Sequence, residues 1–190
     1  MDILVIGGTS GIGKAIVEKL VNEGHEVHAA ARNKPEEPLD QVNYLQLDAL
    51  GDDLEFDLEK LDGLVYAPGS INLKPFNRLK EDDFLDDFRI NVVGAVKVLQ
   101  AAYPLLKKSD QASVILFSTV AVSQGMPYHS STAASKAAVE GLMRSLAAEW
   151  APSIRINAVA PSITDTPMAS RILSSDERRK NSAERHPLNR

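Results

Sequence analysis

The chain has 190 residues, 44% hydrophobic and 25% charged, the balance of a soluble globular protein with room for one domain rather than two. A formal charge of −5 argues against nucleic acid or anionic membrane as main partner, and the absence of cysteine removes disulfide frameworks, thiolate metal sites and thiol nucleophiles. No apolar run reaches the length of a membrane span, and DILVIGG begins without a basic leader, so a cytoplasmic location is the expectation.

In chain order, short runs rich in Val, Ile and Leu predict strands at Ile3–Ile6, Val27–Ala31, Tyr44–Leu47, Leu64–Ala67, Val114–Phe117 and Ile154–Val159. Such near-continuous apolar runs are buried on both faces, as in a parallel sheet. Between them, Ile12, Ile16 and Leu20 fall on one helical face, with Gly24 suited to the C′ position that closes the helix. Glu81 to Leu106 predicts a long helix broken near Pro104, with Phe84 and Phe88 one turn apart. Ser135 to Trp150 predicts another, stopped before Pro152. Strands alternating with helices make this an α/β fold: a doubly wound parallel sheet, a Rossmann-type three-layer sandwich, in a single domain spanning 1–190. The polar tail SRILSSDERRKNSAERHPLNR is an exposed helix or a flap.

The first strand runs into IGGTSGIGKAIVEKL. Glycines at that junction permit positive φ, let the backbone approach a pyrophosphate and let helix pack tightly on strand, while the helix N-terminus faces phosphate oxygens. The spacing is G-x-x-x-G-x-G, so the generic G-x-G-x-x-G fingerprint does not strictly apply, and a tight turn without ligand is the plainer alternative. The second strand ends HAAARNK. Ala31 offers no carboxylate for a ribose 2′-hydroxyl, whereas Arg32 and Lys34 offer cations for a 2′-phosphate, which favours NADP(H) over NAD(H). Two solvated surface cations are the alternative.

YHSSTAASK, residues 128–136, sets a lone lysine after four hydroxyl residues and just before an apolar helical pattern, where a helix dipole disfavours positive charge. Other chemistry is weakly signalled. The acidic EDDFLDD, Glu81–Asp87, suits a helix start and reads as a solvated face rather than a metal cluster. His25 and His28 lack further ligands. Ser130 and Ser131 suit helix-entry caps, and no Ser-His-acid arrangement is evident.

Taken together, these motifs resemble the short-chain dehydrogenase/reductase family of the classical type, over nearly the whole chain to about Thr166. IGGTSGIG resembles the family's glycine loop, making Gly7, Thr9, Ser10, Gly11, Ile12 and Gly13 expected cofactor contacts, with Arg32 beyond them. Asp48 in LQLDAL matches the aspartate that meets adenine. YAPG stands for the family's NNAG motif, keeping Gly69. Asn91 in INVVG matches the catalytic asparagine. IRINAVAPSITDTPM resembles the stretch beside the nicotinamide, with Pro161, Ile163 and Thr166 as contacts and Ser162 in place of a usual glycine.

In the family a YxxxK pair supplies the chemistry: the lysine binds the nicotinamide ribose and lowers the pKa of a tyrosine that protonates the substrate oxygen. Lys136 matches that lysine. Thr132 stands where the tyrosine belongs, and Thr119, with Ser118 before it, stands for the substrate-binding serine. Tyrosine titrates near 10 and an aliphatic hydroxyl several units higher, so Thr132 is no comparable donor. Losing general acid catalysis typically costs about 10²–10⁴ in rate. Threonine would also leave a void, which Tyr128 or His129 would fill if the loop folds back.

The resemblance implies a hydride-transferring oxidoreductase using NADP(H) on a small carbonyl or alcohol, impaired by Thr132, with Asn91, Thr119, Thr132 and Lys136 as catalytic positions. It also implies a homodimer or homotetramer built through the long helices. The alternative is a weak or inactive NADP(H)-binding sensor or assembly protein. Val122, Met126, Ile163 and Met168 suggest a partly hydrophobic substrate cavity. Family members continue past the position of Arg190 with a further helix and strand, without which one sheet edge is exposed.

Overall fold

A computed structural model describes residues 1–189. Six parallel strands form one sheet: β1 (Asp2–Ile6), β2 (Glu26–Ala31), β3 (Val42–Gln46), β4 (Gly63–Tyr66), β5 (Ala112–Phe117) and β6 (Ile154–Val159). Their order is β3-β2-β1-β4-β5-β6, the doubly wound Rossmann order, which reverses direction between β1 and β4. The in-register pairs Ile6↔Ala30 and Ile6↔Tyr66 bring the C-terminal ends of three strands side by side at that reversal. Ligands bind there in open α/β sheets.

The central strands are buried on both faces, as their unbroken apolar runs require. Leu4 and Val5, adjacent and pointing oppositely, are both fully buried. One core joins Leu4, Ile6, Leu64, Leu116 and Ile156 to Ala95, Val98 and Leu99 of α3 (Gly94–Leu106) and Val139 of α5 (Ser130–Trp150). The other joins Val5, Val27, Ala29 and Val65 to Val17 of α1 (Gly11–Asn22). Each such side chain contributes roughly 1.5–3 kcal/mol on leaving water. α1 closes as expected: Gly24, at φ +79°, donates its amide to the Val21 carbonyl.

Two helices depart from their expected bounds. The 81–106 segment is not broken at Pro104, which lies inside α3. It is interrupted earlier, as α2 (Glu81–Phe88), a π-helical turn (Arg89–Val93) and then α3. The buried Tyr66 hydroxyl donates to the Ile90 carbonyl across 2.6 Å, satisfying a backbone group of the widened turn. Gly94 leaves room for that phenol, since a Cβ there would lie 2.3 Å from its oxygen.

α5 starts at Ser130, not Ser135, with His129 before it and no side-chain cap. Ser130 and Ser131 are therefore helical residues, and Ser131 Oγ is buried without a partner. The earlier start puts Lys136 in the second turn, beyond the first-turn amides whose dipole repels a cation.

β6 is one edge of the sheet among the described residues. The short α4 (Ala121–Gln124) precedes α5, and α6 (Asp176–Ala183) lies in the tail, which is thus helical in part. Arg190 lies outside the described residues. No described helix is long and apolar enough to cross a membrane.

Candidate active site

The glycine loop is shaped by close approach. Gly7 (φ +77°) and Gly11 (φ +52°) hold left-handed backbone, and a Cβ on Gly13 would lie 2.2 Å from the Gly7 carbonyl oxygen. Strand and helix thus meet at a distance that only glycine allows, a geometry that lets a phosphate approach a helix N-terminus closely. Thr9 and Ile12 are half-buried in the loop and Ser10 is exposed. Gly7 borders Pro68, and Gly11 sits about one van der Waals contact from Thr166, a built Cβ being 3.5 Å from the threonine carbons. The loop after β4 and the loop after β6 therefore flank the glycine loop.

At the outer rim, Arg32 and Lys34 are exposed and neither is ion-paired among the described residues. Asp48 is exposed and its Oδ1 accepts the Leu50 amide across 3.0 Å, an Asx turn that fixes the carboxylate at the end of β3. Pro161 and Ile163 are half-buried after β6, and the Pro161 carbonyl accepts the Val120 amide.

The centre is built from four elements. Lys136 of α5, 8% exposed, donates to the Phe117 carbonyl at the end of β5 across 2.9 Å. Burial holds its ammonium down at about 8, against the opposing attraction of Asp87. Asn91, in the π-turn, donates its amide to Ser135 Oγ (3.0 Å) and Ser70 Oγ (3.3 Å), while its Oδ1 is buried without a partner. That oxygen and the Lys136 nitrogen both pack closely on Gly69: a Cβ there would lie 3.2 Å from one and 3.3 Å from the other. An orphaned acceptor beside an ammonium has the hydrogen-bonding chemistry that ribose hydroxyls take, so the residues present fit a nicotinamide nucleotide.

Thr132, 5% exposed, is enclosed rather than open to a void. Its hydroxyl donates to Asp87 Oδ2 across 3.1 Å and accepts the Asn72 amide across 3.2 Å. Asp87 Oδ1 accepts from Ser70 Oγ at 2.5 Å. The acidic stretch is accordingly not one solvated face: Asp87 is 2% exposed and points inward, whereas Phe88 is outward. Asp83 is also engaged, accepting from Lys74 and from Asn72 Nδ2. The Lys74 hydrogen bond comes first among the causes that bring its carboxyl down to about 2.

Asp87, Ser70, Asn72 and Ser135 thus surround the candidate centre, and motif reading did not single them out. One signal was available for Asp87, which lies one turn before Asn91 on the same helical face.

The remaining candidates fall outside the centre or beside it. Thr119 is half-buried, its Oγ1 accepting the Ala121 amide, and Ser118 donates to Glu140 across 2.7 Å. Tyr128, at φ +69°, is exposed, and the His129 ring bonds the Pro127 carbonyl, so neither ring enters beside Thr132. Met126 and Met168 are exposed, Val122 and Ile163 half-buried. No group of three or more potential metal ligands occurs among the described residues.

A parallel sheet whose strand order reverses beside a glycine-rich turn, with Asn91 and Lys136 buried against Gly69, is a Rossmann-type fold of the kind that binds dinucleotides. A family model described as enoyl-(acyl carrier protein) reductase matches residues 7–190. The chain is 35% identical over 209 aligned positions to a tropinone reductase homolog of Arabidopsis thaliana, covering all of this chain and 80% of that protein. It is 34% identical to a tropinone reductase homolog of Datura stramonium, covering 95% and 75%. Among solved structures it is similar to the ligand-free aldohexose dehydrogenase of Thermoplasma acidophilum, with TM-score 0.90 and 26% identity over the whole chain and 80% of that one. The chain belongs to the short-chain dehydrogenase/reductase family, oxidoreductases that bind nicotinamide cofactors and act on small carbonyl or alcohol compounds.

Proposed function

We propose that this protein is an NADP(H)-dependent oxidoreductase acting on a carbonyl/alcohol pair. The observation that carries the reading is the pair of buried polar groups packed against Gly69, the Lys136 ammonium and an Asn91 Oδ1 without a hydrogen-bond partner. A nicotinamide nucleotide, when bound, supplies or accepts the hydride. Gly7, Thr9, Ser10, Gly11, Ile12 and Gly13 would hold its phosphates, Asp48 its adenine, and Asn91 and Lys136 its ribose. Pro161, Ile163 and Thr166 would lie along the nicotinamide. Thr119, whose hydroxyl proton is uncommitted, would donate to the substrate oxygen and orient it.

Selection of NADP(H) over NAD(H) rests on the free cations Arg32 and Lys34 and on Ala31, which brings no carboxylate to repel a 2′-phosphate. Fluorescence titration with NADPH and NADH tests it. Tighter NADPH binding that falls about tenfold in Arg32→Ala, with NADH unchanged, is the expected result, because one lost charge-assisted hydrogen bond is worth roughly 1.5–3 kcal/mol. Equal affinity for both nucleotides would remove the preference.

A second reading, a nucleotide-binding sensor or assembly protein with little turnover, is favoured by one fact: the Thr132 hydroxyl is engaged by Asp87 and Asn72. Nucleotide binding without reduction of any aldehyde or ketone would select it. The working state on either reading is a cytoplasmic, single-domain homodimer or homotetramer associating through α2, α3 and α5. Light scattering that gave a monomer mass would count against that assembly.

A further inference from the structure

We propose that Asp87 is a positioning residue for the nucleotide: it fixes the sense of the Asn91 amide, so that the side-chain oxygen and not the NH2 group is offered to the nicotinamide-side ribose. The proposal rests on the nucleotide-binding reading above and adds a residue that this reading does not use.

The two ends of a side-chain amide have almost the same size and opposite hydrogen-bonding character, so packing alone does not choose between its two senses. Hydrogen bonds choose. The neighbours of Asn91 are Ser70 and Ser135, and a hydroxyl can face either end of an amide because it both donates and accepts. Each hydroxyl has one proton, and here each proton is committed elsewhere. Ser135 gives its own to the Thr132 carbonyl across 3.0 Å, and Ser70 gives its own to Asp87 Oδ1 across 2.5 Å. Both serine oxygens are left with lone pairs only, so they take the Asn91 NH2 group, at 3.0 Å and 3.3 Å. The amide oxygen is thereby turned the other way, onto Gly69 beside Lys136, without a partner of its own.

The commitment of Ser135 is local, a side chain bonding back to its own helix. That of Ser70 depends on a carboxylate from another element. Asp87 lies on α2, one turn before Asn91, and is 2% exposed. A carboxylate accepts and has no proton to offer, so Ser70 keeps its hydroxyl turned away from Asn91 while Asp87 stands beside it. The second oxygen of Asp87 takes the Thr132 hydroxyl, which holds the carboxylate between the loop after β4 and α5.

Without Asp87, Ser70 is free to give its proton to Asn91. The amide then turns over, its oxygen towards the serine and its NH2 group towards Lys136. Ribose hydroxyls would find no acceptor there, only an NH2 group beside an ammonium. The charge of Lys136 favours the native sense, but Lys136 makes no hydrogen bond to the amide oxygen.

The test compares binding of NADPH, 2′-phospho-ADP-ribose and 2′,5′-ADP to the full chain by calorimetry. The second ligand has the nicotinamide-side ribose without the nicotinamide, and the third lacks both. Asp87→Leu, which keeps the volume and removes the acceptor, should weaken the first two about tenfold and leave 2′,5′-ADP within about twofold. Ser70→Ala removes one acceptor of the Asn91 NH2 group and should weaken the same two ligands by about threefold or more. The double variant should bind no worse than Asp87→Leu, because no hydroxyl is left at Ser70 to turn the amide over. Asp83→Asn, which loosens α2 from the loop after β4 without touching Ser70 or Asn91, should leave all three ligands unchanged.

A loss shared by all three ligands, or one that Asp83→Asn reproduces, means a merely structural role and overturns the proposal. NADPH binding at the native level in Asp87→Leu also overturns it, and leaves Lys136 alone to set the amide. Should Asp87→Leu not fold, Ser70→Ala decides by the same comparison. Should NADH bind more tightly than NADPH, ADP-ribose and AMP replace the phosphorylated fragments, and the split between them decides in the same way. A native protein that binds neither NADPH nor NADH overturns the nucleotide reading, and this proposal with it.

Discussion

The hydroxyl of Thr132 and the carboxylate of Asp87, 45 residues apart in sequence, form a buried hydrogen bond one helical turn before Lys136. Thr132 thereby ties α5 to α2, and through the Asn72 amide it also holds the loop after β4. Thr132→Val keeps the shape and strands two partners, the buried Asp87 carboxylate and the half-buried Asn72 N–H. Urea unfolding should show a loss of about 2–4 kcal/mol, with Thr132→Ser losing less than about 1.5. A loss below about 0.5 kcal/mol in the valine variant would mean that the bond is not made in solution.

How much of this could be read beforehand follows from where each constraint originates. The strands were legible because Leu4, Val5, Leu64 and their neighbours are buried on both faces, which leaves unbroken apolar runs. The glycine loop and Lys136 were legible because their chemistry is local in sequence. Asp87 was not, since a carboxylate in EDDFLDD is equally at home at a solvated helix start. Its burial is decided by Ser70 and Thr132, which arrive from distant segments. The π-turn was hidden for a similar reason: it keeps helical periodicity on both sides, and its support is Tyr66, on another strand. The true start of α5 was masked by Ser130, Ser131 and Thr132, which look like loop residues and are helical here.

Tyr66 and Gly94 give a second test, now of the turn that aims Asn91. Tyr66→Phe leaves the Ile90 carbonyl without its donor and should lower stability by about 1–2 kcal/mol. Gly94→Ala forces a carbon against the phenol and should cost more, about 3 kcal/mol. In Tyr66→Phe/Gly94→Ala the removed oxygen makes room for the added methyl, so the double variant should lose less than the sum of the singles. Simple additivity in a thermodynamic cycle would contradict the packing described.

Glycines at two other positions should respond with opposite sign. Gly13→Ala brings a Cβ to 2.2 Å from the Gly7 carbonyl oxygen, which backbone cannot yield without opening the loop. NADPH binding should be lost even where the protein stays folded. Gly141 lies in the exposed part of α5 with nothing within 4 Å of a built Cβ. Gly141→Ala should therefore stabilise by about 0.5–1 kcal/mol. Thermal melts of both variants, with NADPH titrations beside them, decide the matter, and a destabilised Gly141→Ala would be the contrary result.

The ion pair of Asp83 and Lys74 anchors the same loop to α2 and sets an acid limit on it. Hydrogen bonding from Lys74 leads the effects that hold the Asp83 carboxyl at about 2, below its unfolded value near 3.8. A depressed folded pKa means stability that is fully present above the unfolded value and lost as pH falls through the window from about 4 to about 2. Asp83→Asn should be less stable than the native protein at neutral pH. The gap should close across that window, because the protonated acid resembles the amide. A gap that stayed constant down to pH 2 would separate the pair from the stability of the fold.

Lys136 has the reverse sign at the other end of the scale. Its folded pKa, lowered to about 8 by burial, lies below the unfolded value near 10.5, so between these pH values the unfolded chain holds more protons than the native one. Stability contributed through this residue must therefore rise as pH increases from about 8 towards 10.5, and its charge penalises the fold most below 8. Lys136→Met, which carries no proton to release, should lack that rise. Urea unfolding of both proteins at pH 7, 8, 9 and 10 gives the difference directly, provided other lysines and tyrosines titrate alike in the two. The native protein should gain on the variant at each step. A difference independent of pH would place the Lys136 ammonium in an ordinary, solvated setting, and the buried centre under Gly69 would have to be redrawn.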